Sequence, residues 1–428
     1  MLRESIRSGK RRPLLVLPTG GGKTIIFNEI ARKAKGNVLI SVHRKELLEQ
    51  TASKYGGDIG RVEPNKPTPS NRVIVAMVAT VVNRLDQIPT PSVIIIDEAH
   101  HANATTYQRI INRFDAFVVG VTATPCRADG SGLIDTFDDL IIGATMPELV
   151  EQGFLIKPTV FAPKEIDMSS VRIVLGDFDK QQAIELINNA TITGDVIKHY
   201  EQLAPNQTAV VFCISVQHAH DVARIFSEHG YSAAALDGNT PKEKRDEVIR
   251  NFGKSIRILA SCDLISEGFD VPNIGAAILL RPTQSKSLYL QQVGRALRLS
   301  EGKTRAVILD HVGNTRRHGH PMEEQDWTLD APKRKGRINT DDTKTAQCKE
   351  CYAIYNGSLR SCPECGHEPE VDRSRKIDEV DGELVEIEAK QKRFEVAKAR
   401  SLEQLRKIAE QRGYKRGWAE HVYRSRKR

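Results

Sequence analysis

No apolar run in this chain of 428 residues approaches the ~20 residues needed to cross a bilayer, so no membrane-spanning helix is expected. The opening Met1-Leu2-Arg3-Glu4-Ser5 lacks the basic-then-apolar pattern of a signal peptide, and a cytoplasmic location is the expectation. No internal repeat is visible, and no nuclease signature is present. Cysteine is sparse: of seven, Cys126, Cys213 and Cys262 stand isolated, as packing residues or inert thiols do, and a disulfide framework is not expected. Acidic residues are outnumbered, 55 against 63 basic, for a net charge of +8. Much of the excess is local, because residues 371–428 hold 17 Lys/Arg and 11 Asp/Glu, a local +6. The chain ends in Arg424, Arg426, Lys427 and Arg428, a pattern that fits contact with nucleic acid and equally fits a solvated charged tail.

What is present is a globular composition, 39% hydrophobic and 28% charged, with length enough for two or three domains. The most informative stretch is Leu14-Leu15-Val16-Leu17-Pro18-Thr19-Gly20-Gly21-Gly22-Lys23-Thr24. A buried strand feeding a glycine loop and then a helix makes a phosphate cradle, because the glycines let backbone N–H groups approach phosphate oxygens. Lys23 can reach the β- and γ-phosphates and the Thr24 hydroxyl can ligate Mg²⁺. The strict eight-residue pattern wants Gly at position 17, where this chain has Leu17. A second apolar run, Ser92–Ile96, ends in Asp97-Glu98-Ala99-His100. An acidic pair at the carboxyl end of a buried strand sits where open α/β sheets bind ligands. Asp97 is placed to hold Mg²⁺, and Glu98 is the candidate general base for an attacking water.

Apolar runs recur at Leu14–Leu17, Val38–Val42, Val73–Val78, Val93–Ile96 and Phe117–Val121. A second set is Ala209–Cys213, Tyr231–Leu236, Ile256–Ala260, Ala276–Leu280 and Ala306–Leu309. Helical stretches between them, such as 217–229 and 241–252, predict two parallel-sheet α/β domains that divide somewhere between about 146 and 195. Gln291, Gly294, Arg295 and Arg298 are spaced three and four apart, which places them on one face if the segment is helical. Two arginines there can stabilise charge at a γ-phosphate bound by the first domain.

The ordered set resembles the superfamily 2 helicases. Pro18–Thr24 resembles their motif I, His43–Gln50 motif Ia, Val73–Arg84 motif Ib, Asp97–His100 motif II and Thr122-Ala123-Thr124 motif III. Val210–Ala223 resembles motif IV, Ser261–Asp270 motif V and Gln291–Arg298 motif VI. Details such as His43-Arg44-Lys45-Glu46-Leu47 and Ser266-Glu267-Gly268-Phe269-Asp270 are most similar to RadD-like DNA helicases and their phage relatives, as is the closing Arg412–Ala419. The motor of restriction endonucleases is also similar. The resemblance implies tandem RecA-like domains with ATP and Mg²⁺ in the cleft between them. Thr19, Gly20, Gly21, Gly22, Lys23, Thr24, Asp97 and Glu98 would act from one side, and Gly268, Asp270, Arg295 and Arg298 from the other. Thr122, Thr124 and Gln291 would couple hydrolysis to domain movement. His43, Arg44, Thr80 and Ser261 would face the nucleic acid. The implied function is an ATP-dependent DNA helicase or translocase working on single-stranded or branched DNA in replication, repair or recombination. An RNA helicase and a catalytically impaired DNA-binding scaffold stay open. Such helicases usually carry an Arg-x-Tyr-Gln element that reads adenine some 20 residues or more before motif I. Here motif I starts 17 residues after Met1 with no Tyr-Gln before it, so an N-terminally shortened chain, or a misjudged start, is the expectation.

The remaining four cysteines form Cys348-x₂-Cys351-x₁₀-Cys362-x₂-Cys365. Two facing Cys-x-x-Cys knuckles supply four thiolates for a tetrahedral structural Zn²⁺, with four reduced thiols or a redox pair as the alternative. The expected division is residues 1–146 and 147–330 for the two RecA-like domains, 331–346 for a basic linker, 347–370 for a zinc ribbon and 371–428 for a charged helical tail. In the tail, Ser401-Leu402-Glu403-Gln404 reads as a capping box, Leu402, Leu405 and Ile408 as one apolar side, and Gly413 as a stop. This C-terminal region would add DNA affinity or contact replication and repair proteins.

Overall fold

The computed structural model describes residues 1–125, 131–162, 171–174, 177–189, 192–262, 273–323, 325–330, 345–347, 353–356, 359, 361–368, 401–411 and 419. Two compact units are present, Met1–Pro369 and Glu370–Arg428.

The first unit begins with β1 (Pro13–Val16), β2 (Val38–Val42), β3 (Ile59–Val62), β4 (Val73–Met77), β5 (Val93–Asp97), β6 (Phe117–Thr122) and β7 (Asp139–Ile142). Between and around them run α1 (Leu2–Arg7), α2 (Lys23–Lys33), α3 (Lys45–Tyr55), α4 (Val78–Val82), α5 (Thr105–Arg113) and α6 (Met146–Glu151). The strand order is β3-β4-β2-β5-β6-β1-β7, all pairs parallel. Parallel strands covered by helices on both faces must be apolar throughout, which is why β1, β2 and β4 read as unbroken hydrophobic runs. Residues on alternate sides of these strands enter two separate cores, Leu39, Ile94 and Ile96 in one and Ile40, Val75 and Ile95 in the other.

The chain then crosses to a second sheet through β8 (Pro158–Phe161), a small antiparallel pair β9 (Ile173–Val174) and β10 (Asp177–Phe178), β11 (Ala209–Phe212), β12 (Ala233–Leu236), β13 (Ile258–Ser261), β14 (Ala276–Leu279) and β15 (Ala306–Asp310). Its helices are α7 (Lys180–Asn189), α8 (Ile192–Leu203), α9 (Val216–Glu228), α10 (Lys242–Asn251), α11 (Lys286–Ala296) and α12 (Asn314–His318). The order β12-β13-β11-β14-β15-β8 is parallel, and β17 (Ala353–Asn356) and β16 (Thr345–Gln347) extend it antiparallel beyond β8. The two α/β halves therefore agree with the sequence expectation. The chain after residue 344 adds β17 and β16 to this second sheet. Cys362 is buried in that sheet's core cluster.

Past α12 the chain returns to the first half. The Leu329 carbonyl accepts hydrogen bonds from Leu133 N (2.7 Å) and Ile134 N (3.1 Å), and Leu329 joins the core beneath α5. Trp327 packs against both cores, with the Lys286 ammonium 5.7 Å from its ring. In the second unit α13 (Leu402–Gln411) buries Leu405, with Leu402 and Ile408 beside it. Ser401 Oγ accepts from Gln404 N (3.2 Å) while Ser401 N donates to the Gln404 side chain (3.2 Å), the reciprocal cap expected there. Gly413 lies outside the described residues.

Candidate active site

β1 delivers its chain into a tight loop. Gly21 N donates to Pro18 O (2.9 Å), and Gly20 and Gly22 take φ of +86° and +80°, a region that side chains with a Cβ rarely enter. Gly22 caps α2, so the first-turn N–H groups of Lys23 and Thr24 have no partner within the helix and open toward the loop. Asp97 and Glu98 end β5 two strands away. Glu98 has φ +48° and ψ +52°, a strained setting for a residue with a Cβ, and its N–H donates to the Asp97 carboxylate (3.0 Å). The Lys23 ammonium reaches across to Glu98 Oε1 at 3.2 Å, both side chains 14% exposed. Burial, and then the Glu98 charge, push the Asp97 carboxyl up, while Lys23 acts in the opposite sense.

The second half closes the site from the opposite side. Gln291 and Arg295 lie buried on α11. The helix ends at Ala296, so Arg298 is not on the helical face that the spacing predicts. It sits instead in an antiparallel bridge to Leu155, with Ile156 N donating to Leu297 O (2.9 Å). Even so, Gln291, Arg295 and Arg298 all line one cleft with Thr19, Gly20, Gly22, Lys23, Thr24, Asp97 and Glu98, enclosing about 360 Å³. Gly294 lies directly over Thr19.

A polar chain leads away from Glu98. The nearer His100 nitrogen, Nδ1, is 3.5 Å from Glu98 Oε2 and 3.1 Å from Thr122 Oγ1. Thr122 Oγ1 donates to Thr124 O (2.9 Å) and accepts from Thr124 N (3.2 Å). The Thr124 hydroxyl donates to Ser287 Oγ (2.5 Å), at the start of α11. Nothing in the sequence marks Ser287, since a serine in the first turn of a helix has no chemical signature beyond capping. A second link joins Arg245 of α10 to Glu46 of α3 (3.5 Å).

His43 and Arg44 follow β2 and are half-buried, and the His43 ring lies 5.6 Å from that of His101, whose ring is tilted against His100 at 4.1 Å. Thr80 is buried on α4 but lines an open groove with Lys66, Asn83 and Arg84. Ser261 is only 1% exposed at the end of β13, so its side chain does not present the nucleic-acid-facing surface expected of it. Gly268, Asp270, Cys348 and Cys351 lie outside the described residues. Cys362 and Cys365 belong to a tight turn in which Gly366 N donates to Cys362 O (2.9 Å), with Gly366 at φ +74°. Among the described residues no group of three or more metal-ligating side chains is assembled. None of the described helices is long and apolar enough to cross a membrane.

Comparison with known proteins gives two family matches. The profile described as "Type III restriction enzyme, res subunit" covers residues 1–127, and "Helicase conserved C-terminal domain" covers residues 192–300. A "51.5 kDa protein" of a Lactococcus phage is 36% identical over 387 residues, spanning 89% of this chain and 83% of the phage protein. The "putative ATP-dependent helicase IRC3" of Saccharomyces cerevisiae is 32% identical over 340 residues, 72% of this chain but 49% of that protein. The chain thus spans about half the length of the yeast relative. Among solved structures, the fragment of a "putative HsdR subunit of a type I restriction enzyme" from Vibrio vulnificus shares the fold at a TM-score of 0.60, with 23% identity over 74% of this chain and 64% of that one.

Proposed function

We propose, from the premise that this chain belongs to the superfamily 2 helicases, that its cleft binds and hydrolyses ATP and that the cycle drives movement on, or remodelling of, DNA. One observation carries the reading: Lys23 and Glu98 from the first half and Arg295 and Arg298 from the second line a single cleft. The glycine loop and the first turn of α2 supply backbone donors for phosphate oxygens, and Lys23 supplies charge. Lys23 pairs with Glu98; an incoming triphosphate would draw the ammonium away and leave Glu98 to orient water and take its proton. Arg295 and Arg298 neutralise charge that develops as the terminal phosphoryl transfers. The donor set also fits Mg²⁺. Two carboxylates lie side by side with Asp97 buried and held up in pKa, a site that a cation relieves. Thr24 and Asp97 would hold the ion, which would offset phosphate charge there.

His100, Thr122 and Thr124 run from Glu98 to Ser287 on α11, so the state of the phosphate site is transmitted to the position of the second half. Gln291 sits on the same helix and shares this coupling. Thr80, with the groove around Lys66 and Arg84, and His43 and Arg44 form the nucleic-acid side. Gly268 and Asp270 would complete the nucleotide site from the second half.

The four cysteines are proposed to hold one structural Zn²⁺. β16 and β17 flank residues 348–352, and β17 pairs with β8. The Cys362–Cys365 turn reaches β8 as well, with Thr159 Oγ1 3.4 Å from Glu364. The described pair, Cys362 and Cys365, thus lies beside the sheet edge that β17 extends, and Cys348 and Cys351 fall in the sequence between β16 and β17. This module and the basic tail would contribute DNA affinity or contact replication and repair proteins, in a cytoplasmic protein.

The deciding experiment measures ATP hydrolysis with single-stranded DNA, duplex, forked DNA and RNA in parallel. Stimulation by DNA above RNA supports the reading. Stimulation by RNA alone replaces it with an RNA helicase, and absence of hydrolysis with every substrate overturns it.

A further inference from the structure

Among the described residues few large apolar side chains are left open to water, and three of them line the cleft just described: Ile25, Phe154 and Leu299, at 68%, 60% and 56% exposure. The backbone holds them there. Ile25 follows Thr24 on α2. Beyond α6 the chain reverses at Gly153 (φ +74°), with Gly153 N donating to Val150 O (3.1 Å) and Phe154 N to Leu149 O (2.8 Å). That double hydrogen bond fixes the direction in which the chain leaves the helix. An apolar residue at the position of Phe154 commonly folds back on its helix, yet this one stays open. Leu155 pairs with Arg298 in an antiparallel bridge, which sets Phe154 and Leu299 at neighbouring positions on the two segments. The bridge lies against the glycine loop: a Cβ on Gly20 would come within 2.9 Å of the Leu155 side chain and 3.6 Å of Arg298 Cγ.

We propose that Ile25, Phe154 and Leu299 seat the base of the bound nucleotide, with the Phe154 ring against the base face. The inference rests on reading the cleft as an ATP site, and it names residues for a part of the ligand that the phosphate machinery does not touch. A nucleoside triphosphate is a polyanion at one end and a flat, weakly hydrated ring at the other. The cleft has the matching halves, with Lys23, Arg295 and Arg298 as cations and the three apolar side chains as a surface that gains when covered. A ring face recognises area, so a purine is favoured over a pyrimidine.

The test compares binding of ATP and of inorganic tripolyphosphate, each with Mg²⁺, to the full-length chain. Phe154→Ala should weaken ATP roughly 5- to 100-fold, the range typical of base–aromatic stacking, and change tripolyphosphate affinity by less than about twofold. Phe154→Tyr should stay within about twofold of the parent for both ligands, because the ring face is kept. Leu299→Ala should repeat the alanine pattern more weakly. Equal losses for ATP and tripolyphosphate would make Phe154 a structural support and overturn the proposal, as would unchanged ATP binding in Phe154→Ala. A parent chain that binds neither ligand would remove the ATP reading itself, and the base seat with it.

Discussion

Gly294 lies so close to Thr19 that a Cβ on the glycine would be 2.6 Å from the threonine Cβ. This contact joins the phosphate loop of the first half to the arginine-bearing helix of the second, and only a residue without a side chain permits it. Gly294→Ala should therefore separate folding from turnover. Alanine is the better helix former by about 1 kcal/mol, so helix stability should not fall. ATP turnover should drop by roughly tenfold to 100-fold, because a misplacement near 1 Å at a catalytic cleft can cost about 100-fold. A parent-like rate in a folded Gly294→Ala protein would show that the approach is not needed in the reactive state.

Lys23 and Glu98 meet at 3.2 Å, yet their removal should have different consequences. Lys23→Ala should weaken nucleotide binding and remove most turnover. Glu98→Gln should keep nucleotide binding while lowering kcat by roughly 100-fold or more, the scale of a lost general base. Turnover at the parent rate in Glu98→Gln would end the general-base assignment.

Arg298 is placed by a bridge to Leu155 and not by its helix, and from that bridge, beside the core of the second half, it reaches the cleft lined by Lys23 and Glu98. Arg298→Ala should lower turnover by roughly 1,000-fold, as loss of an arginine finger does, and leave DNA binding without nucleotide nearly unchanged. Equal loss of turnover and DNA affinity would instead make Arg298 a nucleic-acid contact.

The Asp97 carboxyl is held at about 6 by burial and by Glu98, so its folded-state value exceeds the unfolded one. Ionising it in the folded chain therefore costs free energy. The penalty is absent below about pH 4, grows through about pH 4 to 6 and is complete above that range. Without Mg²⁺ or nucleotide, Asp97→Asn should be more stable than the parent at about pH 7.5, by about 1–3 kcal/mol, and should show no gain at about pH 4. The same variant should lose turnover. Thermal unfolding in chelator at the two pH values reads the difference, and an equal midpoint at the higher pH would sink the idea.

Metal analysis of protein purified without chelator should find one zinc per chain, and Cys348→Ser combined with Cys351→Ser should abolish it. Because Cys362 is packed in the core of the second sheet, metal loss should also lower the unfolding temperature of that half. A zinc-free parent of normal stability would show that the cysteines act as plain thiols.

Much of this was legible in the sequence wherever one segment carries its own signal. The unbroken apolar runs of β1, β2, β5, β11 and β14 announce central strands, and helices expected at 217–229 and 241–252 appear at Val216–Glu228 and Lys242–Asn251. The strands without a sequence signal of their own are short or interrupted. β3 contains Gly60 and Arg61, β7 opens on Asp139, and β8 opens on Pro158. Their identity comes from neighbours in the sheet. Arg298 reaches the expected cleft from beyond the helix for the same reason, since helical spacing is local and the bridge to Leu155 is not. Ser287 and Phe154 become meaningful only when distant segments are brought together.

The return of Leu329 to Leu133 and Ile134 gives the protein a mechanical property. A body tied to another at one point can swivel in every direction. Among the described residues the chain itself joins the halves at two places, the passage from Ile142 to Pro158 and the point where Leu329 is fastened, besides the side-chain links from Thr124 to Ser287 and from Glu46 to Arg245. A plate held at two points turns like a door, about the line through both. Each ATP cycle would then be converted into one repeated stroke along a set arc, and unfastening Leu329 would turn the door into a loose flap.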